Sequence, residues 1–341
     1  MFAEWIQARR GYLSGWKWLD GRRHGVRVFR YHGVVERKRD PVLDRNQLAL
    51  DVFRAQMDYL RRFRVLSIGE LIEGLAAGKL PRTPSAMVTF DDGFHNNVLA
   101  AEILAARRIP WSIYVPPGEV GPSRAMWSIE VSLLILEGHA ATVEALGRTW
   151  SLTTRAEREA NFREMRARLK AVPSAVRIQT MEALRRQFPP GESGRLLDEH
   201  PQLRMLTWEE LSQLASAGAE IGSHGLHHEI HHAEQPADLR VRELEGSRAE
   251  LERRLGRPCR AFAYPNGNFV ETSPREVEAA GYTVAFTTVS GTLEGRSGAD
   301  RFLLPRLGSS GSLHGFVRNF WWDGDRPARR SEAPQPRPSE A

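Results

Sequence analysis

The chain has 341 residues, 41% of them hydrophobic, and its 48 Lys and Arg against 42 Asp and Glu give a formal charge of +6. That length suits one large α/β domain with an insertion, or two ordinary domains, and the apolar content is enough for a substantial core. The one cysteine, Cys259, excludes an internal disulfide and a cysteine-based zinc cluster, and no run approaches the roughly 20 apolar residues that cross a bilayer. The modest basic excess is compatible with an anionic glycan, a membrane surface or nucleic acid and selects none of them. Nucleic-acid binding has only this charge behind it and is not expected.

Residues 2–19 mix Phe2, Trp5, Ile6, Tyr12, Leu13, Trp16, Trp18 and Leu19 with Arg9, Arg10 and Lys17. Such a mix suits peripheral contact with an anionic membrane surface, or a terminal segment docked on the rest of the chain. The first residues carry no h-region of a secretory signal, so a cytoplasmic location is expected, peripheral at the inner membrane face if residues 2–19 lie there.

After this segment, taken as 1–25, Val26 to Tyr31 reads as a strand ending at His32-Gly33. Helices follow over Asp51–Phe63 and Ile68–Leu75, and Ala86 to Phe90 is a short buried strand. A helix over Asn97–Arg108 and a strand over Trp111–Val115 complete a first block, 26–117. Residues 118–205 break the alternation: rich in Arg, Glu, Ala and Leu, they read as an inserted helical subdomain with loops at Gly191 and Gly194. Alternation resumes over 206–322, with helices at Trp208–Ala217, Pro236–Leu255 and Pro274–Ala280. Strands are expected before His224, at Ala261–Tyr264 and at Val284–Thr288. Residues 323–341 are rich in Pro, Arg and Ser and are expected to be disordered. Strand-helix alternation argues for parallel strands with crossover helices, closing here as an irregular (β/α) barrel whose chemistry sits at the C-terminal strand ends.

Two stretches at such ends carry chemistry. Thr89-Phe90-Asp91-Asp92-Gly93 places adjacent carboxylates after an apolar strand, and both ionised and idle they would repel each other. A bound cation, or one carboxylate working as a base, removes the conflict. Side chains on a regular strand alternate between faces, so a turn at Gly93 is needed to aim both inward. Ser223-His224-Gly225-Leu226-His227-His228 follows a second strand. One Asp and two imidazoles with an open fourth position make a catalytic zinc site. Spacing alone also allows His227 with His231, or His228 with His232.

With these residues in view, the chain resembles the polysaccharide deacetylases, the family 4 carbohydrate esterases. Thr89 to Gly93 matches their T-F-D-D-G motif, and His224 and His228 match H-[ST]-x-x-H, with Gly225 where Ser or Thr is usual. Arg260-Ala261-Phe262-Ala263-Tyr264-Pro265-Asn266-Gly267 matches the third motif in part, with Ala263 in place of its second arginine.

The resemblance implies Asp92, His224 and His228 as ligands of a divalent metal, zinc, with Asp91 as general base. A zinc-like ion polarises a carbonyl and lowers the pKa of bound water from ~15.7 to ~7. Many members carry the general acid as a histidine late in the domain, and His314 is the late candidate here. His32, at a strand end, looks like the arrangement in circularly permuted members acting on poly-N-acetylglucosamine and is preferred. Because Ala263 cannot pair with Asp91, Arg306 is expected to do so. The oxyanion donor is expected from the backbone near Asn266. Tyr264 and Trp127 are candidates for a wall stacking on a sugar, and for Trp127 core packing is an equal alternative. The implied activity is metal-dependent N-deacetylation of an amino sugar in a glycan or glycolipid. The alternatives are deacylation or deformylation of a lipid-linked sugar, and a catalytically silent glycan-binding protein that Ala263 and Gly225 would favour.

Overall fold

The computed structural model describes residues 25–121, 125–294 and 300–321. The aromatic-basic segment 2–19 and the tail 323–341 lie outside the described residues.

Among the described residues twelve strands occur, in the order β1 (Gly25–Tyr31), β2 (Gly33–Val35), β3 (Gln47–Ala49), β4 (Arg64–Val65), β5 (Pro84–Phe90), β6 (Trp111–Val115), β7 (Thr142–Ala145), β8 (Arg148–Ser151), β9 (Glu220–Ser223), β10 (Ala261–Ala263), β11 (Val284–Phe286) and β12 (Leu307–Gly308). The main sheet runs β11-β10-β9-β6-β5-β1-β12, with β4 on the start of β5, and every pairing in it is parallel. Parallel neighbours need crossover connections, and helices Leu50–Leu60, Asn97–Arg107, Trp208–Ser216 and Ala237–Leu255 supply them. The sheet curls until its edges approach: Leu304 bridges Phe286 and accepts from Thr287 N–H at 2.9 Å, where full closure would have a strand pair. The result is the expected irregular (β/α) barrel, less completely closed than a regular one.

Side-chain alternation sorts each strand between two cores. Val26 and Val28 of β1, Met87 of β5, Tyr114 of β6, Ala263 of β10 and Phe286 of β11 face the barrel interior. Phe29, Tyr31, Val88, Phe90 and Phe262 face the helical layer outside. By the same period, Arg30, Thr89 and Asp91 belong to the interior face at the top of the barrel.

The segment between β6 and helix Trp208–Ser216 packs around a core of its own that includes Leu134, Trp150, Phe162 and Leu197. Helices Trp127–Glu137, Arg155–Ala171, Ser174–Arg185 and Glu192–Glu199 make up most of it. Two local expectations fail. The antiparallel hairpin β7–β8 interrupts the helices, built on the alternating burial of Val143 and Ala145 against exposed Thr142 and Glu144. Gly194 lies inside helix Glu192–Glu199, whereas Gly191, at φ 82, caps its start.

A candidate metal and catalytic site at the barrel mouth

The second Asp of the pair is held by its own backbone as much as by Gly93. Asp91 continues the interior face of β5, so a regular strand would send Asp92 outward. Asp92 instead takes φ 74 and Gly93 takes φ 76, turning the second carboxylate back over the barrel. Asp92, His228 and Asn266 are three of the five non-glycine residues with positive φ among the described residues (the others are Arg108 and Leu146). Asn, Asp and His tolerate the left-handed region best, and strain of this kind concentrates at functional sites.

Asp92, His224 and His228 bring one ligand atom each within 4.8 Å of one another, all three buried. Asp92 Oδ1 lies 3.5 Å from Nε2 of each histidine. That is too long for a good hydrogen bond, but ligand atoms about 2.0–2.1 Å from one tetrahedral ion lie roughly 3.4 Å apart. The donor set therefore fits a small divalent ion better than it fits itself. His224 Nδ1 lies 2.6 Å from the carbonyl oxygen of Ala263, so that nitrogen carries the proton and Nε2 offers its lone pair. The residue that fails to supply an arginine thus orients a ligand through its backbone. Burial first, then the neighbouring His224, pushes the His228 imidazole down to about 3 and keeps it neutral as a ligand must be. Burial pushes Asp92 up, but His224, His32 and His228 outweigh it and hold the carboxyl well below its ordinary range.

Asp91 is clasped by Arg306, which donates from Nη1 to Oδ1 at 2.6 Å and from Nη2 to Oδ2 at 2.8 Å. Arg306 sits one residue before the Leu307–Phe29 pairing, lower in the barrel than Asp91. Its long side chain spans the difference, packed between the Tyr114 and Phe286 rings and tied by Nε to the Thr287 carbonyl at 3.0 Å. Burial would raise the Asp91 pKa, but the guanidinium outweighs it and the carboxyl sits below its ordinary value.

His32 follows β1 and feels the charges of both aspartates and of His224; burial dominates and pushes its imidazole down to about 4. His314 is on the exposed face of helix Leu313–Trp321, outside this cluster. Of the other histidines, His227 pairs with Glu119 at 3.0 Å and His231 with Ser273 Oγ at 3.2 Å, and among the described residues neither they nor His232 join the ligand group. Asn266 is exposed, its side chain accepting from Lys170 and donating to Asn268 at 2.6 Å. Tyr264 is fully buried on the outward face of its strand, against Phe262 and His231, so it cannot serve as a sugar wall. Trp127 is half-buried with the Arg177 guanidinium 4.9 Å from its ring centre.

Gly225 has a local reason. Its φ is +76, and a Cβ there would come within 3.1 Å of Glu243 Oε2, the carboxylate that accepts from His227 N–H at 2.8 Å and braces this loop.

Residues 187–285 match the family model for polysaccharide deacetylase, a stretch that holds both histidine ligands and the Ala263 carbonyl. The chain carries a polysaccharide deacetylase domain. Among solved structures it is similar to IcaB from Ammonifex degensii, at 19% identity over 88% of this chain and 97% of that one, with a TM-score of 0.56. It is similar to the Streptococcus pyogenes deacetylase PplD in complex with acetate, at 15% identity over 87% and 98%, TM-score 0.56. It is also similar to BC0361, a polysaccharide deacetylase from Bacillus cereus, at 17% identity over 87% and 69%, TM-score 0.54. At these identities the likeness is one of fold. No curated protein matches the chain. The deacetylase model stops short of the Asp pair, which the barrel's first block supplies.

Proposed function

We propose that this deacetylase domain hydrolyses the N-acetyl group of an amino sugar in a glycan or glycoconjugate, with zinc held by Asp92, His224 and His228. The observation that carries the reading is the juxtaposition of that ligand set with an Asp91 carboxylate kept ionised by Arg306. Zinc in this position would polarise the acetyl carbonyl and activate the attacking water. Asp91, as the base, takes a proton from that water, and the two-pronged clasp of Arg306 fixes the carboxylate's orientation while leaving its charge available. His32 is neutral at pH 7, so the proton it passes to the departing amine is the one Asp91 took from the water, which returns both groups to their starting states. The backbone around Asn266 faces the mouth from β10 and is assigned the developing oxyanion.

Two departures from the family pattern would suit a silent binding protein, and both have compensation here: Arg306 for the missing arginine, and a left-handed backbone for Gly225. Acetate release from N-acetylglucosamine oligomers and polymers with added zinc, beside Asp91→Asn, tests the reading. Release that vanishes in the variant, with metal still bound, supports it; equal release in both overturns the role of Asp91.

A further inference from the structure

Four cations lie close enough to Asp92 to feel its charge and have no carboxylate partner of their own among the described residues. Arg30 comes from β1, Arg45 from the turn before β3, and Arg166 and Lys170 from one face of helix Arg155–Ala171 in the insertion. Among the described residues, Arg45 and Arg166 feel the charge of one carboxylate, Asp92, and Arg30 that of Asp91 and Asp92. The Nε atoms of Arg30, Arg45 and Arg166 are each buried without a hydrogen-bond acceptor. Nearby acids are engaged elsewhere. Asp44 accepts from the backbone of Arg39 and Asp40 and from Gln202, while Asp40 pairs with Arg155. Among the described residues Arg45 is steered by the Val42 carbonyl at 3.0 Å and by the Phe162 ring, 5.1 Å from its guanidinium carbon. Lys170 holds Asn266, which places its ammonium at the mouth beside the third motif.

Like charges four residues apart on a helix repel, and burying unpartnered guanidinium nitrogens opposes folding further. Asp91 is already neutralised by Arg306, leaving one carboxylate, Asp92, among four cations. A carboxylate-bearing sugar would need only one guanidinium fork. Four cations from three separate segments match a group with more charge and more oxygens. We propose that the substrate's N-acetylated sugar carries a phosphate beside the reacting amide, bound by Arg30, Arg45, Arg166 and Lys170. This rests on the deacetylase reading for the amide but not for the phosphate.

Calorimetric titration of the zinc-loaded protein with N-acetylglucosamine 1-phosphate, with N-acetylglucosamine and with inorganic phosphate tests it. The phosphorylated sugar should bind at least about tenfold more tightly than the neutral one, an advantage that shrinks with added salt. The Arg166→Gln/Lys170→Gln double variant should lose the advantage while retaining one zinc per chain. That variant removes repulsion, so its melting temperature should equal or exceed the parent's, and phosphate should raise it less. A polyprenyl-phosphate-linked N-acetylglucosamine in vesicles, run beside the soluble phosphate, assigns the source: tighter binding there means a lipid carrier. Equal binding of neutral and phosphorylated sugar, or an advantage that survives in the double variant, overturns the phosphate site. Acetate release is scored separately. Its absence alongside cation-dependent phosphate binding would overturn the deacetylase reading and leave the anion site standing.

Discussion

Arg306 and Asp91 meet fork to fork inside the barrel, 2.6 and 2.8 Å apart at their two contacts, with both side chains shut away from solvent. Arg306→Met leaves a buried carboxylate uncompensated, at a cost of about 3–5 kcal/mol. The sign of the pH dependence should reverse. In the parent, Asp91 titrates below its ordinary value, so its stabilisation is present above about pH 4 and is lost as pH falls through the lower folded value. In the variant, burial alone raises Asp91, so stability falls as pH rises past about 4. Denaturant midpoints between pH 3 and 8 check both slopes. The acid limb of kcat/KM should move to higher pH in the same variant.

His224→Ala and His228→Ala should each abolish stoichiometric zinc, whereas Asp91→Asn should retain it. Metal analysis after dialysis distinguishes them. Zinc at 100 times its dissociation constant should stabilise the parent by about 2.7 kcal/mol and neither histidine variant.

Gly225→Ser restores the residue usual in the family and should nonetheless destabilise this chain. A non-glycine residue in the left-handed region costs about 1–2 kcal/mol, and the new Cβ also presses on Glu243. A lower melting temperature than the parent's is expected, and an unchanged or higher one would refute the account of Gly225.

His32→Ala should lower kcat by about 10²–10⁴ with zinc retained, the range for loss of a positioned proton donor. His314→Ala, on the exposed face of the last helix, should leave kcat unchanged. Single-turnover rates on one N-acetylated oligomer compare the two.

The Asp pair, His224 and Arg306 were legible because each stands at or next to a strand in this barrel, where the local pattern says which end faces the chemistry, and His228 because of its spacing from His224. The strand alternation also held the information needed to reject Tyr264: Ala261 and Ala263 face the interior, so Tyr264, one residue further, belongs outside. The hairpin β7–β8 was missed because its strands are four residues each and half exposed, too short for a period to register. The cation cluster was not legible at all. Arg166 and Lys170 lie four apart on one helix, but Arg30 and Arg45 share no spacing with them, and the set meets because the insertion folds back over the barrel mouth.

The insertion packs around its own apolar centre, Leu134, Trp150, Phe162 and Leu197, while the ligands and Asp91 hang from the barrel strands. Selection can therefore rewrite the mouth-facing side of one helix, where Arg166 and Lys170 lie, without disturbing the hydrolytic apparatus beneath it. A lineage with this architecture can change its clientele by editing a lid and keep its engine.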